Sequence, residues 1–210
     1  HALNEHEASC IDAFGFGPKA EVLNNGVFRD EYEELPGAGT FREMHPELGV
    51  APYVVFISRL HFKKGLDHLA GAFIAIKDTH PDAHLVVIGP DDGAQAEFER
   101  GIAGAGLSGR VHLTGPMYGR EKLAALVDAS CFCLPSRQEG FSVAITEALA
   151  CGAPCVISEP CHFPEVGKAR AGRVVPLDAQ AGGDAWIEVM GDESQRAKRR
   201  ENARELVRQR

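Results

Sequence analysis

Nowhere in the 210 residues is there an apolar run approaching the ~20 that a bilayer-crossing helix needs. Nor does any segment join a basic start to a short apolar stretch and a small-residue cleavage site, so no secretory signal is read and no transmembrane segment is expected. Basic residues are in deficit, 22 Lys and Arg against 30 Asp and Glu, for a net charge of −8. With a pI near 5.6 the chain lacks the basic face of an electrostatic nucleic-acid binder, so no nucleic-acid partner is expected. Low-complexity tracts and internal repeats are also missing. Six cysteines are present but form no C-x-x-C pair, and most sit inside apolar runs. They read as buried free thiols in a reducing, cytosolic compartment. Cys151, Cys155, Cys161 and His162 have spacings that match no common zinc pattern, and no histidine pair follows a metalloprotease spacing, so the thiols read as buried small apolar residues rather than zinc ligands. The chain opens at His1 and has no methionine before Met44, as a piece cut from a longer protein would.

What is present, 44% hydrophobic and 25% charged residues, suits a globular core. From Pro52 onward, short apolar runs alternate with segments of helical spacing. Residues 53–58 (YVVFIS), 84–88 (HLVVI), 111–114 (VHLT), 131–134 (CFCL), 155–158 (CVIS) and 173–175 read as strands buried on both faces. Residues 65–77, 95–101, 120–128, 143–150 and 179–190 read as helices. In the first of these, Leu66, Leu69, Ala70, Phe73 and Ile76 share one stripe. Such alternation predicts an α/β fold with a doubly wound, Rossmann-like parallel sheet, whose ligands bind beyond the carboxyl ends of the strands. Residues 1–50 do not join the rhythm: 5–14 suggests a short helix, 21–23 a strand, and 36–39 with 46–49 connector. Residues 193–210 form a polar, Arg-rich helix with few apolar anchors, in need of support from elsewhere.

Two stretches imitate the dinucleotide fingerprint. Gly104-Ala-Gly106-Leu-Ser-Gly109 fits G-x-G-x-x-G, and Gly15-Phe-Gly17-Pro-Lys-Ala20 fits its alanine variant. The fingerprint needs a strand before it and a helix after, so that pyrophosphate meets a helix N-terminus. Both stretches have the reverse order. Residues 104–109 read instead as a helix C-cap and turn.

The chemistry is carried by residues 135–156. A buried strand ends at Pro135, a polar loop follows, and a helix begins near Phe141 or Ser142. Glu139, Gly140 and Phe141 therefore lie where this architecture binds ligands. Gly140 permits close backbone approach, and the free amides of Phe141, Ser142 and Val143 with the helix dipole suit a phosphate. Glu147 follows eight positions after Glu139, more than a turn inside the helix. A second element, Ser58-Arg-Leu-His-Phe-Lys-Lys-Gly65, again follows a strand and opens a helix. Arg59 and Lys64 put two cations on the same sheet edge, one suited to bidentate phosphate contact and one a point charge. A cationic loop and an amide-rich helix start together describe a diphosphate cradle.

With these residues in place, the sequence resembles the carboxyl-terminal, nucleotide-sugar-binding half of a retaining GT-B glycosyltransferase of family 4, the group 1 glycosyl transferases. The matching pieces are Arg59-Leu with Lys64-Gly65, Val87-Ile-Gly89, Val111-His-Leu-Thr-Gly115, Pro135-Ser136-Arg137 and the pair Glu139…Glu147. Glu147-Ala-Leu-Ala-Cys-Gly-Ala-Pro-Cys-Val, Pro164-Glu165-Val166 and Ala171-Gly172-Arg173-Val174-Val175-Pro176 continue the match. Leu23-Asn-Asn-Gly-Val27 looks like the family's interdomain Pro-Asn-Gly-Val with Asn24 in place of proline.

The resemblance implies that Arg59 and Lys64 stabilise the departing diphosphate, with Glu139 on the donor sugar's hydroxyls as the third catalytic-site residue. It implies that the backbone of Gly140, Phe141, Ser142 and Val143 holds the distal phosphate and sugar. Glu147 would bind the ribose hydroxyls, Gly89 floor the cleft, and residues 115–118, Met117 among them, border the base. It further implies a UDP-, GDP- or ADP-sugar donor with no cofactor or metal, a hexose transferred to a saccharide or lipid-linked acceptor, and a role in polysaccharide synthesis. Residues 1–30 would be the remnant of a preceding domain with its linker, 31–192 the donor domain and 193–210 the terminal helix. The partner would be a missing amino-terminal acceptor domain, which would carry any membrane contact of a cytoplasmic enzyme, and the piece alone would be inactive. Competing readings are another GT-B enzyme, such as a nucleotide-sugar epimerase or synthase, and a non-catalytic nucleotide-binding module. A Rossmann dehydrogenase ranks below both.

Overall fold

The structure, a computed structural model, describes residues 1–15, 19–28 and 30–208. Six strands, β1 (Tyr53–Ile57), β2 (His84–Ile88), β3 (Val111–Gly115), β4 (Cys131–Leu134), β5 (Cys155–Ser158) and β6 (Gly172–Val175), form one sheet. All pairings are parallel, in the order β3-β2-β1-β4-β5-β6. The four inner strands are nearly continuous in apolar residues because both of their faces are covered, whereas the edge strands β3 and β6 are only partly buried, contrary to their reading as strands buried on both faces. Tyr53, Val54, Val55 and Phe56 of β1 are fully buried, as are Cys131, Phe132 and Leu134 of β4. The expected α/β fold is thus the observed one, and the strand order reverses between β1 and β4. That reversal opens a crevice beyond their carboxyl ends.

Ten helices accompany the sheet among the described residues. Four precede β2: α1 (Glu5–Ala13), α2 (Asp30–Glu33), α3 (Thr40–Met44) and α4 (Leu66–Ala75). The others are α5 (Gln95–Gly104), α6 (Gly119–Asp128), α7 (Val143–Ala150), α8 (Glu165–Lys168), α9 (Ala179–Met190) and α10 (Glu193–Arg208). Residues 104–109 form the end of α5 and a turn with Gly106 at φ +73°, as its glycines suggested. The other imitation of a dinucleotide fingerprint falls partly on residues 16–18, which lie outside the described residues, as do 209–210 of the terminal helix.

Three expectations need correction. Residues 21–23 make no strand: Val22 forms a single parallel bridge with Ala2, too small a pairing to build a sheet. The segment after Pro36 is more ordered than connector. α3 and a 3₁₀ turn (Pro46–Leu48) bury Phe41 and Leu48 against the core. Asp128 fixes this segment from a distance: its carboxylate accepts from the Gly39 and Phe41 amides at 2.6 and 2.8 Å. The helix after Gly140 spans Val143–Ala150, as its apolar spacing indicated, and so begins one to two residues after the Phe141 or Ser142 start that the loop reading gave it.

α10 finds its support through arginines as well as through buried Ala203, with Leu206 and Val207 packed against the core. Arg200 donates to the Val127 and Ala129 carbonyls at 3.0 and 2.5 Å, and Arg204 to the Cys151 carbonyl at 3.4 Å. These carbonyls close α6 and α7, so the guanidiniums satisfy orphan acceptors at two negative helix ends. Burial lowers the Arg200 pKa from its ordinary value, with Arg204 adding to the effect.

Candidate functional site

The site forms where the loops after β1 and β4 meet. After β1, residues 58–61 are stitched to the loop beyond β2: the Leu60 amide donates to Pro90 O at 2.9 Å, and Leu60 O accepts from Asp92 and Ala94. A 3₁₀ turn (Phe62–Lys64) then leads to Gly65, which opens α4. Gly65 sits at φ +69°, and a Cβ there would lie 1.9 Å from Pro135 O. Only glycine lets the β1 and β4 loops touch at this point. Arg137 completes the junction, with its amide on Lys63 O at 2.7 Å and its guanidinium on both Asp67 oxygens at 2.8 and 2.6 Å. Gly89, at φ +150° just beyond β2, packs closely on the neighbouring strand ends: its amide donates to Gly115 O at 2.9 Å, and a Cβ would meet Ser58 O at 1.9 Å.

This junction brings Lys64 onto Glu139. The ammonium lies 2.6 Å from Glu139 Oε1, and the two side chains are 17% and 8% exposed. The Ser136 hydroxyl donates to the same oxygen at 2.5 Å. Glu147 repeats the pattern on α7. Lys122 reaches its Oε1 at 2.7 Å and the Tyr32 hydroxyl donates to it at 3.2 Å. In both carboxylates one oxygen holds two donors, and the other makes no hydrogen bond to the described residues. A carboxylate oriented this way can accept a ligand hydroxyl without releasing its internal partners. Burial, with the Glu147 charge adding to it, pushes the Tyr32 phenol well above its ordinary pKa, so the phenol stays a donor.

Arg59 stands apart from this pair. Its guanidinium is 66% exposed and bonds Asp92 at 2.7 Å. Ser142 caps α7 with its backbone only. Its buried side chain makes no capping bond, so the first-turn amides of α7 keep no side-chain partner. Phe141 packs its ring against Phe163, with centroids 5.9 Å apart, and Val143 is exposed. Met117 is buried, and Tyr118 beside it is exposed. Gly140 has open space where a Cβ would stand, and its carbonyl accepts from the Asn4 side-chain amide. Beside it, Asn4, His6 and Asn24 on one side and Phe141 and His162 on the other border a cavity of about 430 Å³. His6 and His162 stack there with centroids 3.9 Å apart.

Ser136, Lys122 and Tyr32 were not singled out from the sequence as site residues. Ser136 lies within the Pro135-Ser136-Arg137 motif, so a signal existed. Tyr32 is 115 positions from Glu147 and carries none. Cys151, Cys155, Cys161 and His162 do not assemble. No group of three or more His, Cys, Asp or Glu side chains suited to a metal occurs among the described residues. No helix among them is long and apolar enough to cross a membrane.

Comparison with known proteins agrees with this fold. A family profile described as "Glycosyl transferases group 1" matches residues 40–206. The chain is 31% identical over 173 residues to a GDP-mannose-dependent alpha-(1-6)-phosphatidylinositol monomannoside mannosyltransferase of Mycolicibacterium smegmatis, covering 78% of this chain and 45% of that protein. It is 28% identical over 178 residues to a phosphatidyl-myo-inositol mannosyltransferase of Mycobacterium leprae, covering 83% and 45%. The chain thus spans about half the length of the curated relatives it matches. Among solved structures, Anabaena HepE in complex with UDP-glucose superposes with a TM-score of 0.86 at 24% identity, over 100% of this chain and 58% of that one. The C-terminal domain of a Francisella tularensis group 1 glycosyl transferase, LpcC, gives 0.75 at 20% identity, over 88% of this chain and 98% of that one.

Proposed function

Because the chain belongs to the group 1 glycosyl transferases, we propose that it is the donor-binding half of a retaining, two-domain GT-B enzyme that transfers a hexose from a nucleoside-diphosphate sugar. The observation that carries this reading is the pair of carboxylates at the sheet's switch point, Glu139 and Glu147. Each is pinned through one oxygen by a lysine and a hydroxyl.

In this reading Glu139 Oε2 accepts a hydroxyl of the donor sugar, and Glu147 Oε2 accepts the ribose hydroxyls. The amides at the start of α7, Gly140 to Val143, receive the distal phosphate. Arg59 leaves Asp92 to join Lys64 on the diphosphate, and the two cations stabilise charge that grows on the leaving group. Gly89 and the backbone at 115–118, Met117 included, flank the nucleoside. Two relatives, 31% identical over 173 residues and 32% identical over 163, are named as GDP-mannose-dependent, which makes GDP-mannose the first donor to try.

The acceptor and its domain belong to the rest of the enzyme in this proposal. Residues 1–30 are the end of that domain with its linker, and 193–208 are part of a terminal helix. Exposed Phe14, Leu23 and Phe28 support this, since apolar side chains gathered in one segment suit a covering partner. The cavity beside Gly140 lies on the same side and suits the acceptor's approach.

Calorimetry with GDP, UDP and ADP, then with their sugar conjugates, tests the reading. GDP and GDP-mannose should bind preferentially and lose affinity in Arg59→Ala. The chain alone should show no transfer to any acceptor. Equal indifference to all three nucleotides, or turnover by this chain alone, would count against the proposal.

A further inference from the structure

One of the two edge strands, β6, borders a second cavity of about 410 Å³ that shares no residue with the donor cradle. Its wall carries three guanidiniums, Arg170, Arg173 and Arg199, and one carboxylate, Glu188. Glu188 serves two of them: Oε1 lies 3.0 Å from Arg199, and Oε2 lies 3.4 Å from Arg173. Arg199 is only 13% exposed and also reaches the Glu188 carbonyl, so it is fixed, whereas Arg173 is 52% exposed. No carboxylate among the described residues pairs with Arg170. Three cations against one anion leave an excess of two positive charges, on a protein whose net charge is −8.

The backbone supplies an independent observation. Arg170 stands just beyond the end of α8 at φ +54°. Its amide donates to Gly167 O at 3.0 Å and the Ala171 amide to Val166 O at 3.0 Å, the helix-ending turn that glycine ordinarily completes. A Cβ disfavours this left-handed conformation, so the turn would close more easily without the arginine. An unpaired cation at a strained position, facing a cavity already rich in cations, points to a use for the side chain.

We infer that this cavity binds a phosphate-bearing anion, the phosphomonoester or diphosphate of a soluble ligand or of a lipid headgroup. The planar guanidinium fork matches phosphate oxygens, and a bound anion relieves the repulsion among the three arginines. The volume leaves room for an organic group beyond the phosphate. The inference stands independently of the donor reading, since the two sites have no residue in common.

Inorganic pyrophosphate titrated at constant ionic strength, followed by amide resonances, separates the two sites by their own signals. Residues 170–173 should shift saturably. The double variant Arg170→Gly/Arg173→Ser should bind at least tenfold more weakly there, while signals from residues 140–143 respond as in the parent. Arg170→Gly should unfold at the same or higher urea concentration, which rules out misfolding as the cause. Flotation with phosphatidylcholine vesicles, with and without phosphatidic acid, distinguishes the sources. Capture by the acidic vesicles that is lost in the double variant assigns a lipid headgroup. Pyrophosphate binding without capture assigns a soluble ligand. Failure in both arms, shifts that never saturate, or an unaffected double variant would overturn the inference.

Discussion

Replacing Lys64 with methionine removes the ammonium from Glu139 while keeping most of the side chain's volume. Exposed ion pairs contribute about 0–1 kcal/mol, whereas breaking a fully buried pair costs about 3–5 kcal/mol. Lys64 and Glu139 are 17% and 8% exposed, and Ser136 still donates to the abandoned oxygen, so the loss should be about 2 kcal/mol. Glu139→Gln should cost a similar amount, because it strands the ammonium instead. The double variant leaves a neutral amide facing a thioether, with no unpaired charge. It should therefore be more stable than the two single losses together imply, with a coupling energy of about 1–2 kcal/mol. Urea unfolding of the four proteins at pH 7 reads this cycle. Because the pair is sheltered, added salt should change the coupling little. The same Lys64→Met protein should bind its nucleoside diphosphate roughly tenfold more weakly, in line with loss of one charge-assisted contact. Single-variant losses that add to the double within about 0.5 kcal/mol would show that no significant pair exists. Unchanged nucleotide affinity would remove Lys64 from the cradle.

Three further outcomes follow from the same geometry. Asp92→Asn should release Arg59 from an exposed pair worth at most about 1 kcal/mol and so tighten diphosphate binding by up to roughly fivefold; calorimetry showing weaker binding would contradict a competing role for Asp92. Gly89→Ala forces a side chain into a left-handed conformation against the Ser58 carbonyl and should cost about 2–4 kcal/mol by urea unfolding, whereas Gly140→Ala, with open space at its Cβ, should be near neutral for stability. His84 and His112, whose ring nitrogens lie 2.8 Å apart, are both held below the ordinary 6.5 by burial, and each lowered further by neighbouring imidazoles. The unfolded chain takes up protons that this folded pair refuses, so stability should be full above pH 6.5 and fall on acidification, by up to about 1.4 kcal/mol per pH unit for each imidazole. His112→Gln should flatten that slope between pH 7 and 5.

Much of this protein was legible in the chain itself. The strands appeared because both faces of a parallel sheet demand unbroken apolar runs, as in CFCL and YVVFI. The helices between them appeared because only one face of each is covered. Alternation of the two then forces right-handed crossovers, and with them a crevice beyond the strand ends, where Lys64 meets Glu139. These are rules of local covering, and sequence states them directly. What the sequence did not disclose depends on distant contacts. Nothing in the spacing of Tyr32, Lys122 and Glu147 says that two donors converge on one carboxylate oxygen. Nothing in the pattern of α10 says that Arg200 and Arg204 dock on the ends of α6 and α7. The order of strands around β1, which decides that the loops after β1 and β4 face one another, is likewise a property of the closed sheet. Hydrophobic periodicity reports which face of an element is covered. Which polar group meets which across the crevice is settled only when the sheet closes and brings the two loops together.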